Sequence, residues 1–227
     1  ASENSYFESQ DIDDMVEGYS EFECFRGVCD MGVDFGGQQT SRTVVTISAF
    51  DSESKVVKRL FCNIYPPRED GGLVDDLEEL GSRFNVQRLI VDGCPEGSFA
   101  IKDMKSRGWD VVEMNFAGEK LAKYGQFRSA LHQKKIKSFQ DDDLLVEMRA
   151  LTQIRGVQRT MVRAPQGYTD DVIDSFVMSC YFFVEQPVPI GLVAVDDGES
   201  SIPPELRGVL AEDVDWSKVE RRIQRGV

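Results

Sequence analysis

The chain has 227 residues, of which 41% are hydrophobic and 10% aromatic. That is enough for one sizeable core, and it excludes the low hydrophobicity of a disordered chain. Five scattered cysteines (Cys24, Cys29, Cys62, Cys94, Cys180) form no CxxC pair, and the longest apolar run, Val172–Val184, is short and interrupted by polar residues. A disulfide-stapled secreted module and a membrane-spanning protein are therefore excluded, and reduced thiols in a soluble, intracellular protein are expected. The formal net charge is −14, but it is unevenly spread. Residues 1–23 carry eight acids and no Lys or Arg, and residues 185–227 carry nine acids and five bases. Residues 102–163 hold 13 Lys/Arg against 8 Asp/Glu, and it is a local basic face, not the summed charge, that decides whether phosphate is attracted.

In chain order, the acidic residues 1–23 lack a sustained apolar period and read as a tail or interdomain linker. The chain opens on Ala1, not Met, which suggests a piece cut from something longer. Three runs rich in Val, Ile, Phe and Thr follow: Phe25–Phe35, Arg42–Asp51 and Lys55–Tyr65. They are separated by Gly-Gly and Asp-Ser-Glu-Ser turn signals, which predicts three antiparallel strands. After the break at residues 66–72, Leu73, Leu77 and Leu80 recur at helical spacing, with an end near Phe84. Val86–Val91 is a continuous apolar run, as expected of a strand buried on both faces. A helix over Pro95–Arg107 and a strand over Trp109–Met114 complete a strand–helix–strand unit, which extends the meander in parallel. Amphipathic helices are predicted over Gly118–Lys135 and Asp141–Ile154, the latter opening on three acids suited to a helix N-terminus. A strand or hairpin arm over Val157–Val162 and a last core helix over Tyr168–Val184 follow. Residues 186–227 read as a Pro/Gly/Ser-punctuated acidic tail, with one short helix from Trp216. The expected organisation is thus a tail (1–23), one α/β domain (24–185) and a second tail (186–227).

Carboxylates fall at three telling points. Asp34 ends the first strand in MGVDFGG, Asp92 ends the first parallel strand in LIVDG, and Asp170, Asp171 and Asp174 open the last helix in YTDDVIDSF. A carboxylate closing an apolar strand is costly unless something compensates it. Two on adjacent strand ends, with a third from a crossing helix, form an all-oxygen pocket of the kind that Mg²⁺ or Mn²⁺ prefers. Two such ions about 3.5–4 Å apart would activate a water and stabilise the leaving oxygen of a phosphodiester. Asp34 is the natural bridging ligand, because the first strand should be central. Asp174 shares a helix face with both Asp171 and Asp170, whereas Asp170 and Asp171 diverge by about 100°. Asp34, Asp92 and Asp171 are accordingly the expected catalytic ligands, with Asp174 supporting and Asp170 capping the helix or assisting. Each residue alone reads as well as a turn or capping residue; their order along the chain carries the signal.

These motifs, together with the intervening KYGQFRSALHQKKIKSFQDDDLLVEMRALTQ, resemble the nuclease domain of tailed-bacteriophage large terminases over about residues 25–185. The resemblance implies an RNase H-like fold, with three antiparallel strands followed by parallel ones and helices flanking the sheet. It implies a metal-dependent endonuclease that cuts double-stranded DNA with little sequence preference during genome packaging. Asp34, Asp92 and the Asp170/Asp171 pair match the family's metal-binding positions, Asp174 a later acid in the same helix, and Tyr124, Arg128 and Asp141–Asp143 match loosely. Implied partners are an ATPase motor in the same polypeptide and the portal and small terminase, in the cytoplasm of an infected bacterial host. No GxxxxGK[ST] occurs in these residues, so the chain is expected to be the nuclease half alone.

Lys120, Lys123, Arg128, His132, Lys134, Lys135 and Lys137 cluster along one predicted helix and its exit, and Arg155, Arg159 and Arg163 lie in the strand region after it. As a group they are candidates for salt-dependent, sequence-blind contacts to a DNA backbone, the firmest being Lys120, Lys123, Arg128, Lys134, Lys135 and Arg159. Any one of them also reads as an ordinary solvated cation. His132, the only histidine, lacks partners for a zinc site and reads as a surface residue. Gly36 and Gly37 suit either phosphate approach or a tight turn. Phe25, Phe127, Phe176, Phe182 and Phe183 read as core. GVDFGGQQTS also suggests a phosphotransferase of the actin/sugar-kinase class, a reading that fails on size because those enzymes need two such domains; a resolvase- or transposase-type nuclease and a non-catalytic docking module stay open.

Overall fold

The computed structural model describes residues 5–36, 42–67, 72–155 and 160–185. Strands β1 (Cys29–Asp34), β2 (Thr43–Asp51) and β3 (Val56–Tyr65) form the expected antiparallel meander. Helix α2 (Gly72–Arg83), β4 (Val86–Asp92), a 3₁₀ turn over Pro95–Gly97, α3 (Ser98–Ser106) and β5 (Val111–Met114) follow. Here β4 pairs in parallel with β1, and β5 with β4. The two-residue strand β6 (Ile136–Lys137) adds a further parallel edge beside β3, so the sheet order is β5-β4-β1-β2-β3-β6 and β1 is interior.

Period-two alternation divides the sheet's side chains between two apolar layers. Met31, Val33, Leu89 and Val91 pack with Val74, Leu77, Leu80, Ile101 and Met104 under α2 and α3. Val44 and Ile90 point the other way, into a larger core formed with α4 (Phe116–His132), α5 (Asp142–Ala150) and α6 (Asp171–Glu185). Helix α6 crosses β1 and β2 at very short range, which Gly32 makes possible. A Cβ at that position would lie 2.1 Å from the Ser175 carbonyl oxygen and 2.5 Å from the Ser179 nitrogen. Because these are backbone atoms, Gly32→Ala should push the helix off the sheet, at a cost of about 1–3 kcal/mol or more. Urea denaturation would measure it, and a neutral result would mean that the close approach is not needed. Paired hydroxyls complete the contact, Thr46 with Ser175 at 2.8 Å and Ser48 with Ser179 at 2.7 Å.

The acidic N-terminal stretch departs from the expectation of a tail. Among its described residues, 5–23, the segment Ser9–Met15 forms helix α1, and Tyr6, Phe7, Ile12 and Met15 are buried. The ring of Phe7 packs 6.0 Å from that of Phe127 and 6.1 Å from that of Tyr124. The Tyr6 and Glu17 amides donate to the carbonyls of Leu151 and Ser138. The acids of this stretch lie against the basic end of α4 and its surroundings: Asp11 with His132, Asp13 with Arg149, Asp14 with Lys134 and Glu17 with Lys137. These pairs are at least partly open to solvent and contribute about 0–1 kcal/mol each, so the aromatic anchors dominate. Phe7→Ala should lower unfolding free energy by about 3–5 kcal/mol, whereas Asp13→Ala should change it by less than about 1 kcal/mol. Denaturant titration compares the two, and equal effects would contradict this division.

Boundaries shifted where tertiary pairing outweighed periodicity. The helix predicted to reach Ile154 stops at Ala150, and Thr152–Arg155 becomes β7, paired antiparallel with β8 (Thr160–Arg163). Thr152 and Ile154 are β-branched, which favours a strand once a partner is present. Helix α4 starts at Phe116, two residues before the expected Gly118, because the Asn115 side chain accepts from the Gly118 amide. Gly37, Arg159 and residues 186–227, with the short helix expected from Trp216, lie outside the described residues. Among the described residues no helix is long and apolar enough to cross a membrane.

Candidate metal centre

Asp34 and Asp92 directly follow Val33 and Val91, the last registered pair of the parallel β1–β4 ladder. They therefore stand side by side at the carboxyl edge of two neighbouring strands, which run about 4.8 Å apart. Val33 and Val91 face the α2/α3 layer, so alternation turns both aspartates toward the face that α6 covers. Helix α6 begins at Asp171, and the Asp174 amide donates to the Asp170 carbonyl as the first turn forms. All three of its acids thus open the helix over the end of β1. Asp170, Asp171 and Asp174 gather near Asp34 at one corner of the fold, and Asp92 closes the neighbouring strand.

The corner carries more negative charge than it can hold comfortably. Asp34 is pushed up to about 8, first by burial and then by the carboxylates of Asp174, Asp171 and Asp170, against the opposing pull of Lys120. Asp174 is raised to about 7, chiefly by burial, with Lys120 opposing and Asp170 adding to the shift. Two cations answer this charge. Lys120 Nζ, on α4, lies 2.7 Å from an Asp170 oxygen and 2.6 Å from an Asp174 oxygen. Arg42 Nε lies 3.0 Å from Asp171 Oδ2. The other Asp174 oxygen accepts from the buried Tyr124 hydroxyl, and Asp92 Oδ1 accepts from the Phe116 amide at 3.1 Å. Burial alone would depress the Lys120 ammonium, but Asp174 and Asp170 outweigh it and hold the pKa above the ordinary lysine value.

Among the described residues no three His, Cys, Asp or Glu side chains close around one point as a ligand shell. The oxygens of Asp170, Asp171 and Asp174 are turned onto Lys120 and Arg42. The donor chemistry nevertheless fits a hard divalent ion, since every converging side chain offers carboxylate oxygen. The site also already draws a positive charge into the position between Asp170 and Asp174. His132 is remote from it, on the surface beside Asp11.

Two residues at the site went unassigned in the sequence reading. Glu147 on α5 is 3% exposed, and its Oε2 accepts from the amides of Val172 and Ile173 at 2.8 and 3.0 Å. Its Oε1 accepts from Thr169 Oγ1 at 2.6 Å and from Arg42 Nη2 at 2.8 Å. A carboxylate from a different helix therefore satisfies the free amides at the start of α6. Helix α5 is itself anchored through Asp141, which accepts from the Leu144 amide and from the fully buried Arg59 at 2.7 Å. Glu147 looked like one acid in an ordinary amphipathic helix, and nothing local to it signals contact with residues 22–26 positions away.

The basic residues do not form one free stripe. Lys120 belongs to the carboxylate cluster. Lys123 is 9% exposed, with Nζ 3.8 Å from the centre of the Tyr181 ring and an ion pair to Glu119. Arg128 stacks 4.7 Å from the Tyr6 ring and donates to the Tyr6 carbonyl. Lys134 pairs with Asp14 but stays largely exposed, and Lys135 is exposed. Packing has thus taken Lys123 into the structure, because α6 lies over the surface where it emerges, whereas Arg128 touches Tyr6 but stays exposed.

A mixed sheet with β1 interior and helices packed on both faces gives the chain an RNase H-like fold. Its fold is that of large terminase nuclease domains. The large terminase nuclease of thermophilic phage G20c, crystallised with bound magnesium, superposes with a TM-score of 0.67 at 16% identity, over 79% of this chain and 97% of that one. The Thermus phage P74-26 large terminase nuclease domain gives 0.62 at 14% identity, over 75% and 92%. The HK97 bacteriophage large terminase gives 0.60 at 11% identity, and there the match covers 78% of this chain but 43% of the larger one. No family model matches the sequence, and no curated protein matches it.

Proposed function

We propose that this chain is a divalent-metal-dependent endodeoxyribonuclease that cleaves double-stranded DNA with little sequence preference during viral genome packaging. The observation that carries the reading is the meeting of Asp34 and Asp92, on adjacent parallel strand ends, with Asp170, Asp171 and Asp174 at the start of the crossing helix. Asp34, Asp92 and Asp171 would hold Mg²⁺ or Mn²⁺, with Asp170 and Asp174 completing the negative field. The bound ions would supply an activated water and neutralise charge on the phosphodiester. The protein's own part is positional. Glu147 and Arg42 hold the start of α6, and Tyr124 holds one Asp174 oxygen, so that the carboxylates face the strand ends.

For DNA we retain Arg128, Lys134 and Lys135 as backbone contacts, with Lys120 acting at the carboxylates, and we assign Lys123 to packing. Arg159 remains a candidate from sequence alone. The same reading makes the chain the nuclease part of a longer polypeptide with an ATPase motor, working with portal and small terminase in the cytoplasm of an infected bacterium. Incubation with supercoiled plasmid and Mn²⁺ or Mg²⁺, against EDTA and a branched-DNA substrate, tests the activity. Metal-dependent nicking and linearisation are expected. Cleavage confined to branched DNA would move the assignment to a resolvase-type nuclease, and no cleavage by folded protein would overturn catalysis.

A further inference from the structure

The cation inside the carboxylate cluster is supplied by the chain itself. Lys120 Nζ bridges Asp170 and Asp174 at 2.7 and 2.6 Å, and its side chain is 18% exposed. It sits above aromatic neighbours, 5.3 Å from the Tyr124 ring centre and 5.8 Å from that of Phe116. A lysine this enclosed, reaching from α4 across to α6, offsets the repulsion among acids that would otherwise crowd together without solvent. The oxygens it engages belong to the same cluster that a divalent ion would use.

Resting on the metal-site reading above, we propose that Lys120 is an internal competitor for the divalent ion: it occupies the Asp170/Asp174 side of the cluster in the metal-free protein and must withdraw before the site fills. Two consequences follow from charge alone. Without Lys120 the cluster is one positive charge poorer, so an added divalent cation binds more tightly. The metal-free protein loses an ion pair that kept buried carboxylates apart, so it becomes less stable while gaining more from metal. Lys120 thereby sets the metal concentration at which the nuclease becomes competent. Such a threshold would keep a sequence-blind DNA-cutting centre unloaded when metal is scarce.

The test is direct Mn²⁺ binding to the full 227-residue chain, read from the free-ion electron paramagnetic resonance signal at fixed pH. The proteins compared are wild type, Lys120→Met, Lys120→Gln and Asp34→Asn. Lys120→Met and Lys120→Gln should bind Mn²⁺ at least about tenfold more tightly than wild type, and Asp34→Asn should bind it more weakly. Wild-type affinity in folded Lys120 variants, with binding still lost in Asp34→Asn, would overturn the competition while leaving the metal site intact. No Mn²⁺ binding by any of the proteins, or binding that Asp34→Asn leaves unchanged, would overturn the metal site and the competition together. Should neither Lys120 variant fold, peptide-mapped reductive methylation of the wild type decides. Lys120 labelling should rise several-fold on saturation with non-catalytic Ca²⁺, and unchanged labelling at saturation would sink the proposal.

Discussion

Asp34→Asn should lower the rate of plasmid cleavage by at least about 100-fold, since losses of 10–100-fold already follow from altering groups that merely support metal ligands. The substitution is nearly isosteric, and because burial and three neighbouring carboxylates push Asp34 up to about 8, the metal-free carboxyl carries little charge at neutral pH. The metal-free fold should therefore be about as stable as wild type at neutral pH, and more stable above about pH 8, where the wild-type carboxyl ionises against its neighbours. Thermal denaturation with EDTA, run beside the cleavage assay, separates the two effects. A folded Asp34→Asn protein that cuts within tenfold of wild type would remove Asp34 from the centre of the reaction. A variant that loses activity only because it unfolds would show that the carboxylate is structural.

Glu147→Ala should cost about 3–5 kcal/mol in unfolding free energy, the range for breaking a buried charged network by deleting one partner. Four donors lose an acceptor at once: the Val172 and Ile173 amides, the Thr169 hydroxyl and the Arg42 guanidinium. Arg42 would then keep Asp171 and the Thr169 hydroxyl as partners. Glu147→Gln keeps the shape and one acceptor oxygen, and should cost roughly 1–3 kcal/mol, the penalty for one unsatisfied buried partner. Urea titration ranks the two. A loss below about 1 kcal/mol for Glu147→Ala would mean that the start of α6 is held by its packing against β1 and β2 and not by this carboxylate. Because the acids of α6 sit in that first turn, cleavage should fall in both variants even where they remain folded.

The mixed connectivity and the strand ends bearing Asp34 and Asp92 could be read from the chain itself. Strand formation at β1 to β4 follows from short runs of β-branched and aromatic residues between turn residues, and a carboxylate terminating such a run stands out wherever it occurs. The same holds for Asp170, Asp171 and Asp174, which open an apolar helix. Local patterns of this kind survive folding because each residue's neighbours in sequence supply most of the relevant environment.

What only the tertiary structure decided depended on partners distant along the chain. Residues 5–23 looked like a solvated acidic tail because four buried side chains (Tyr6, Phe7, Ile12 and Met15) sit among eight acids without a clean period. They become core only because α4 and α5 present Tyr124, Phe127 and Leu151 to them. Lys123 looked like a free cation until Tyr181 was laid over it. Glu147, Arg42 and Lys120 acquire their places at the carboxylate corner from residues 22 to 129 positions away. An ion pair or a borrowed helix cap is a relation between two surfaces, and it exists only once folding has brought both to the same point.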